Sequence, residues 1–250
     1  MSKVLLITGG SRGIGAATAS FAADSEDYTV AISYVADRPR PLAVVAEIEN
    51  LGGKAIAVQG DVSKPNEVTR MFDETEAQLG KITHVVNSAG ITGKSSRLVD
   101  APLEVIRQTI DINLMGAIYV SREAVKRMST RLGGAGGVIV HLSSAAALLG
   151  SPGEYVWYAA SKGGVESLTF GLAKEVAEEG IRVNAVVPGM VDTEIHERST
   201  GDAARIERIR PGIPMKRIGR AEEIAHAILF LLGDESSYVT GTTLRVSGGR

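Results

Sequence analysis

The stretch Thr8-Gly9-Gly10-Ser11-Arg12-Gly13-Ile14-Gly15 decides the fold, because it joins a short β-branched run to an apolar segment of helical spacing. Its glycines follow the pattern G-x-x-x-G-x-G, which differs from G-x-G-x-x-G but meets the same demands: a tight turn, a backbone close to a pyrophosphate, and close packing of helix on strand. The N-terminus of the following helix offers free N–H groups and a partial positive charge to phosphates. A glycine-rich turn is often only a turn, but this position after the first strand favours a phosphate cradle.

Strand-like and helical segments alternate along the rest of the chain. Seven runs rich in β-branched residues predict strands at 4–8, 29–35, 55–59, 84–87, 138–142, 182–187 and 242–246. Segments of helical spacing lie between them at 14–23, 42–51, 68–79, 103–128, 165–177 and 224–232. Most of the strands are continuously apolar, as in parallel sheets covered on both faces. The pattern predicts an α/β fold with a doubly wound, seven-stranded parallel sheet, helices on both faces, and a ligand crevice at the carboxyl ends of the strands.

Size and composition favour a single domain over residues 1–250. A chain of 250 residues approaches the limit that one hydrophobic core can serve, and 44% apolar against 22% charged residues provides enough material for that core. The polar segment at about 190–214, with Pro211 and Pro214 near its end, lacks strand character. A long segment of this kind predicts a lid over the crevice.

Charge and cysteine content limit the possible partners. Twenty-seven Lys and Arg against 29 Asp and Glu give a net charge of −2, which argues against a nucleic-acid or anionic-membrane partner. No apolar run is long enough to span a bilayer, and residues 4–8 are too short for a secretory signal. The chain has no cysteine, and its four histidines are not at metal-ligand spacing, so we expect no metal and a cytoplasmic location.

A second motif follows the strand predicted at 138–142. Ser144 lies just beyond that strand, and Tyr158 and Lys162 are four residues apart where a helix would open. This spacing places the two side chains on one helical face. A phenol has a pKa of about 10, and a nearby ammonium lowers it by stabilising the phenolate. Tyr-x-x-x-Lys also occurs by chance, with Tyr in the core and Lys at the surface, but the position of Ser144 at a strand's carboxyl end favours a proton-transfer site.

The order of these motifs resembles the short-chain dehydrogenase/reductase family over nearly the whole chain. The matching positions are Thr8-Gly9 with Gly13-x-Gly15, Asp61-Val62, Asn87-Ser88-Ala89-Gly90, Asn113, Ser144, Tyr158 with Lys162, and Pro188-Gly189. The resemblance implies a single-domain Rossmann fold, a nicotinamide cofactor and reversible oxidation of an alcohol to a carbonyl. Sugar dehydrogenases and 3-oxoacyl thioester reductases are the members that the chain most resembles.

The resemblance also implies a role for each catalytic position. Tyr158 is the acid/base at the substrate oxygen, and Ser144 donates a hydrogen bond to that oxygen. Lys162 lowers the pKa of Tyr158 and binds the nicotinamide ribose. Asn113 holds a water that links Lys162 to solvent.

Other matching positions are implied to bind the cofactor. The predicted set is Gly9, Ser11, Arg12, Gly13, Ile14, Gly15, Asp61, Val62, Asn87, Ala89, Gly90, Tyr158, Lys162, Pro188, Gly189, Val191 and Thr193. Asp61 resembles the acid that accepts a hydrogen bond from the adenine amine, with Val62 beside it. An N-cap ahead of Pro65 is the alternative role for Asp61. Ser88 departs from the second Asn that the family usually has here, which concerns packing more than catalysis.

The end of the second strand predicts a preference for NADP(H), with NAD(H) possible. An acid there would bind the 2′-hydroxyl of NAD and repel a 2′-phosphate, but Ser33 and Tyr34 occupy that position. Arg12 in the glycine loop can bind a phosphate through charge-assisted hydrogen bonds, and Arg38 and Arg40 lie just beyond the strand. A solvated loop is the alternative role for Arg38 and Arg40, so the prediction depends mainly on Arg12. Asp37 would reverse the preference if the strand ended three residues later.

Two other functions stay open, a catalytically silent dinucleotide-binding sensor and a 3-oxoacyl thioester reductase. The intact set Asn113, Ser144, Tyr158 and Lys162 argues against the sensor. Relatives that accept an acyl carrier protein have a basic residue where this chain has Glu178-Glu179-Gly180, which favours small carbonyls, sugars or polyols.

The sequence is less informative about substrate and assembly. No charged cluster within 145–156 or 190–214 dictates a ligand, although Tyr155 is a candidate for the substrate wall. Trp157 is expected to face away from Tyr158 and to pack under a loop. The family resemblance implies a homotetramer built from the helices at 103–128 and 158–177.

Overall fold

A computed structural model describes residues 3–25, 27–201 and 205–250, and these form a seven-stranded parallel sheet. The strands are β1 (Lys3–Thr8), β2 (Tyr28–Tyr34), β3 (Ala55–Gln59), β4 (Ile82–Asn87), β5 (Gly137–Leu142), β6 (Ile181–Pro188) and β7 (Thr243–Val246). Their order across the sheet is β3-β2-β1-β4-β5-β6-β7. The direction of winding reverses between β1 and β4, and such a reversal opens a crevice at the carboxyl ends of the strands.

Helices of the described chain connect these strands. They are α1 (Gly13–Asp24), α2 (Pro39–Asn50), α3 (Pro65–Leu79), α4 (Leu103–Ile110), α5 (Gly116–Met128), α6 (Ala146–Leu149), α7 (Val156–Val176), α8 (Ile195–Thr200), α9 (Arg205–Ile209) and α10 (Ala221–Leu232). A π-helical segment, Asp111–Met115, joins α4 to α5. The predicted doubly wound α/β fold is confirmed.

The sheet is buried on both faces, which explains the continuously apolar strands. Successive side chains of β1 point to opposite faces, so Leu5 and Ile7 pack on one side with residues of α1 and α10. Leu6 packs on the other side with residues of α3 and α5, among them the fully buried Phe72. Each face therefore has its own apolar core.

Two helical segments and one alternative role differ from the expectations. Helical spacing is regular only over 165–177, after the Gly163-Gly164 pair, whereas α7 begins at Val156, two residues before Tyr158, where the motif predicts that a helix opens. The helix expected at 103–128 is interrupted by its π-helical segment. Asp61 does not cap α3, whose N-cap residue is Lys64; it accepts hydrogen bonds from N and Oγ of Ser63 at 2.9 and 2.7 Å.

The segment at 190–214 is held at its start by a bridge between Val191 and Gly219. It contains α8 and α9, while residues 202–204 lie outside the described chain. The expected lid therefore stays a prediction. Among the described residues, no helix combines the length and apolar character needed to cross a membrane.

Candidate active site

A cavity of about 1120 Å³ opens at the carboxyl edge of the sheet. It is lined by nearly all predicted site residues: Gly9, Ser11, Arg12, Gly13, Ile14, Gly15, Asp61, Val62, Ala89, Gly90, Ser144, Tyr158, Lys162, Pro188, Gly189, Val191 and Thr193. Asn87 and Asn113 are not among the lining residues. The predicted catalytic and cofactor groups thus lie in one place, although they come from helix α7 and from the chain segments that follow five different strands.

The glycine loop leaves no space for side chains at its closest approaches. Gly9 and Gly13 have φ of +67° and +52°, in the left-handed region that glycine adopts readily. A Cβ atom on Gly15 would lie 2.5 Å from the carbonyl oxygen of Gly9. Helix α1 has neither a side-chain cap nor an acidic residue in its first turn, so no carboxylate of that turn neutralises its positive end. This cradle fits the pyrophosphate of a dinucleotide.

Two segments hold the glycine loop in position. The Oγ1 atom of Thr8 donates to Asn87 Oδ1 at 3.1 Å and accepts from the backbone N–H groups of Ser88 and Ala89. A Cβ atom on Gly13 would lie 3.3 Å from Cγ2 of Thr193, so the segment that follows β6 packs against the glycine loop. The Asn87 side chain therefore ties β1 to β4 behind the cavity wall, and its assignment to cofactor binding stays a prediction.

Tyr158 and Lys162 lie one turn apart on α7, as their spacing predicts. The Nζ atom of Lys162 is 5.8 Å from the centroid of the Tyr158 ring and donates to the carbonyl oxygen of Leu142 at 2.6 Å. Burial lowers the pKa of Lys162 to about 8. Burial also raises the pKa of Tyr158, while a hydrogen bond with Ser144 lowers it. In this structure burial, more than the charge of Lys162, governs the Tyr158 pKa.

The π-helical segment positions Asn113 beside Lys162. Oδ1 of Asn113 accepts from the N–H of Ile91 at 2.8 Å, and its Nδ2 donates to Ile91 O and Ser161 Oγ at 2.8 and 3.0 Å. A Cβ atom on Gly90 would lie 3.2 Å from Asn113 Oδ1 and 3.5 Å from Lys162 Nζ. Asn113 and Lys162 therefore flank the same glycine, and π-helical turns of this kind are frequent at functional sites.

Arg12 and Arg40 share one carboxylate, which the sequence does not indicate. Glu194 accepts from Nη1 of Arg40 at 2.8 Å and lies 3.4 Å from Nη1 of Arg12. Nε of Arg40 is also 3.0 Å from Asp37. Strand β2 ends at Tyr34, so the predicted end of this strand is nearly right, and Asp37 lies beyond it on the cavity wall.

The end of the cavity near Tyr158 contains an ion pair that sequence analysis missed. Arg205 donates to Glu154 from Nε and Nη2, at 3.0 and 2.6 Å, and its Nη2 also donates to the hydroxyl of Tyr155. The ring of Tyr155 packs edge-on against that of Tyr158, with 5.5 Å between their centroids.

Trp157 donates from Nε1 to the carbonyl oxygen of Thr92 at 2.9 Å, so its expected place under a loop is confirmed.

Comparison with known proteins defines the class to which this fold and site belong. Residues 9–250 match the family model described as Enoyl-(Acyl carrier protein) reductase. A short-chain dehydrogenase from Burkholderia cenocepacia J2315, solved in complex with NADP, superposes with a TM-score of 0.90 at 35% identity, covering 99% of this chain and 97% of that one. The chain belongs to the short-chain dehydrogenase/reductase family and is an oxidoreductase.

Relatives of similar identity have different names. "Uncharacterized oxidoreductase YgfF" of Escherichia coli K12 is 46% identical over 247 residues, 99% of each chain. L-rhamnose 1-dehydrogenase (NAD(P)(+)) of Sphingomonas sp. SKA58 is 39% identical, covering 99% of this chain and 95% of that protein. 3-oxoacyl-[acyl-carrier-protein] reductase FabG of Staphylococcus epidermidis RP62A is 36% identical, covering 100% and 99%. Overall similarity therefore does not decide the substrate.

Proposed function

We propose that this enzyme transfers a hydride between NADP(H) and a small alcohol or carbonyl substrate, with Tyr158 as the acid/base. The observation that carries the proposal is the meeting of Ser144, Tyr158 and Lys162 on the wall of a cavity that also includes the glycine loop. The NADP complex of the Burkholderia relative supports the choice of cofactor.

The cofactor is held, in this proposal, along the whole carboxyl edge of the sheet. The glycine loop and the start of α1 bind the pyrophosphate. Asp61 and Val62 contact the adenine, while Pro188, Gly189, Val191 and Thr193 contact the nicotinamide amide. When bound, the nicotinamide supplies or accepts the hydride.

The chain's own residues bind the substrate oxygen and move its proton. Ser144 donates a hydrogen bond to that oxygen, which polarises a carbonyl. Tyr158 gives the oxygen a proton during reduction and removes it during oxidation. Lys162 binds the nicotinamide ribose, and Asn113 supports a path for the proton from Lys162 to solvent.

Reduction of carbonyl compounds by the purified enzyme tests this proposal. We expect oxidation of NADPH, followed by its absorbance, with members of a panel of aldoses, small ketones and 3-oxoacyl thioesters, and the reverse reaction with polyols. NADPH binding without turnover of any member would support the sensor instead. Turnover confined to the thioesters would support the acyl reductase.

The preference for NADP(H) is tested by Arg12→Ala. Loss of a charge-assisted hydrogen bond to the 2′-phosphate is expected to weaken NADPH binding by about tenfold. NADH binding is expected to stay unchanged, because NADH has no 2′-phosphate. Calorimetric titration of both cofactors gives the two dissociation constants.

Two variants are controls for the Arg12 prediction. Arg107→Ala removes an exposed arginine on α4, outside the cavity wall, and is expected to change neither constant. Glu194→Gln is expected to strengthen NADPH binding, because Glu194 competes with the 2′-phosphate for Arg12 and Arg40. Equal weakening of NADPH and NADH by Arg12→Ala, or a higher wild-type kcat/KM with NADH, would contradict the preference.

We also propose that the enzyme is a cytoplasmic homotetramer. Apolar side chains are exposed on both helices expected at the interfaces, with Leu103 of α4 at 83% and Phe170 of α7 at 42% exposure. Closed twofold symmetry is the commonest way to cover such faces. Light scattering is expected to give a mass near four times the 26.2 kDa of one chain. A single-chain mass at micromolar concentration would contradict the tetramer.

A further inference from the structure

The structure assigns the Glu154–Arg205 pair as a binding subsite for a hydroxyl group next to the reacting carbon of the substrate. This inference rests on the proposed function and specifies its substrate class as hydroxylated carbonyls and polyols. It starts from burial: the Arg205 side chain is 5% exposed, whereas that of Glu154 is 36% exposed. Both residues line the cavity that Ser144 and Tyr158 also line.

The two side chains are held rigidly. The guanidinium of Arg205 binds both carboxylate oxygens of Glu154, and its Cζ lies 5.6 Å from the centroid of the Tyr155 ring. The backbone carbonyl of Glu154 accepts from the N–H of Ser96 at 2.8 Å. A planar guanidinium fork fixes a carboxylate in one orientation, so Glu154 is oriented before any substrate arrives.

The Glu154 carboxylate is available as an acceptor at neutral pH. Its hydrogen bonds with Arg205 hold the pKa of Glu154 below its ordinary value, and Arg250 nearby adds to this effect. Each carboxylate oxygen can accept more than one hydrogen bond. A partly exposed, ionised acceptor facing a cavity binds a donor group such as a hydroxyl.

Tyr155 links the ion pair to the reaction site. Tyr155 follows Glu154 in the chain, accepts a hydrogen bond from Arg205 through its hydroxyl, and packs edge-on against Tyr158. The ion pair and the proposed acid/base therefore belong to the same wall of the cavity, on either side of one aromatic ring. A substrate whose oxygen binds Tyr158 extends along this wall, and a hydroxyl on the carbon adjacent to the carbonyl, as in sugars and vicinal diols, is the donor that we expect Glu154 to bind.

Other substrate classes fit this wall less well. An acyl chain would place methylene groups against the partly exposed Glu154 carboxylate, which would lose its contact with water and gain no hydrogen bond in return. An anionic substrate would meet the Glu154 carboxylate, and Arg205 is already neutralised by it. Lys94 and Arg250 also line the cavity, so a carboxylate substrate is included in the experiment as a competing class.

Oxidation of two ring alcohols by NADP⁺ tests the subsite. trans-1,2-Cyclohexanediol and cyclohexanol differ by one vicinal hydroxyl, and each loses a hydride and a proton to give a ketone and NADPH. We expect kcat/KM for the diol to exceed that for cyclohexanol by about tenfold or more, the usual effect of one hydrogen bond to a charged group. Glu154→Gln is expected to remove most of this difference, measured as the ratio of kcat/KM for the diol to that for cyclohexanol.

The matched control is Glu223→Gln. Glu223 forms a similar pair with Arg217 away from the cavity, in which Arg217 Nη2 lies 2.6 Å from Glu223 Oε1. It is expected to leave the diol preference intact. Arg205→Lys, which keeps the charge without the fork, is expected to reduce the preference as Glu154→Gln does.

Several outcomes would overturn the subsite. The first is a wild-type kcat/KM that is equal for the diol and for cyclohexanol. The second is an equal fall in kcat/KM for both alcohols in Glu154→Gln. The third is a wild-type kcat/KM that is higher for 2-hydroxycyclohexanecarboxylate than for the diol. The wild-type ratio decides the question even if Glu154→Gln does not fold. Cyclohexanol oxidation does not need the subsite. An enzyme that oxidises neither alcohol therefore counts against the proposed function, whereas one that oxidises both without preferring the diol counts against the subsite alone.

Discussion

Tyr158→Phe is expected to lower kcat by about 10²- to 10⁴-fold, the usual contribution of a general acid/base group. The substitution removes only the hydroxyl, while the ring keeps its edge-on contact with Tyr155 and its place near Lys162 Nζ. NADPH affinity is therefore expected to stay close to that of the wild type. Steady-state kinetics and calorimetric titration of NADPH measure the two quantities separately.

Tyr238→Phe is the control for this experiment. Tyr238 is fully exposed, so the same loss of a hydroxyl at the surface is expected to leave kcat unchanged. A Tyr158→Phe enzyme with a rate near that of the wild type would falsify the acid/base role. A large loss of NADPH affinity in the same variant would show that the hydroxyl mainly serves binding.

Lys162→Met is expected to lower both kcat and NADPH affinity. Loss of turnover by at least about 10²-fold is expected, because the variant removes the ammonium that supports proton transfer by Tyr158. It also removes the predicted contact to the nicotinamide ribose, which distinguishes this variant from Tyr158→Phe. Kinetics and NADPH titration measure these losses, and Lys174→Met, an exposed position further along α7, is expected to cause neither.

The same variant is expected to change how stability depends on pH. Burial lowers the Lys162 pKa from 10.5 to about 8, so between these values the folded chain binds fewer protons at Lys162 than the unfolded chain. The free energy of unfolding contributed by this group therefore rises as pH increases through that window. Thermal unfolding at pH 7 and pH 10 is expected to show the wild type gaining stability relative to Lys162→Met. A constant difference between the two proteins would contradict the buried ammonium.

The fold and much of the candidate site were predictable because their patterns are local. The glycine loop, the apolar strands and the Tyr158–Lys162 spacing each lie within a few residues, and parallel topology then brings strand ends to one edge. Local pattern was less reliable where tertiary contacts compete with it. Gly164 weakens the helical pattern of α7, yet a Cβ atom there would lie 2.9 Å from Leu114 Cδ2, so close packing accounts for the glycine.

The sequence by itself determined the doubly wound parallel sheet, the glycine loop after β1 and the spacing of Tyr158 and Lys162 on one helix, because these depend on hydrophobic period and on short motifs. Only the tertiary structure decided which distant charges meet. Glu154 and Arg205 are 51 residues apart, and Glu194 is 182 residues from Arg12. Such pairs form between loops that are brought together by the packing of helices on the whole sheet. A charged residue in a loop belongs to no periodic pattern, so the local sequence does not predict which residue it pairs with.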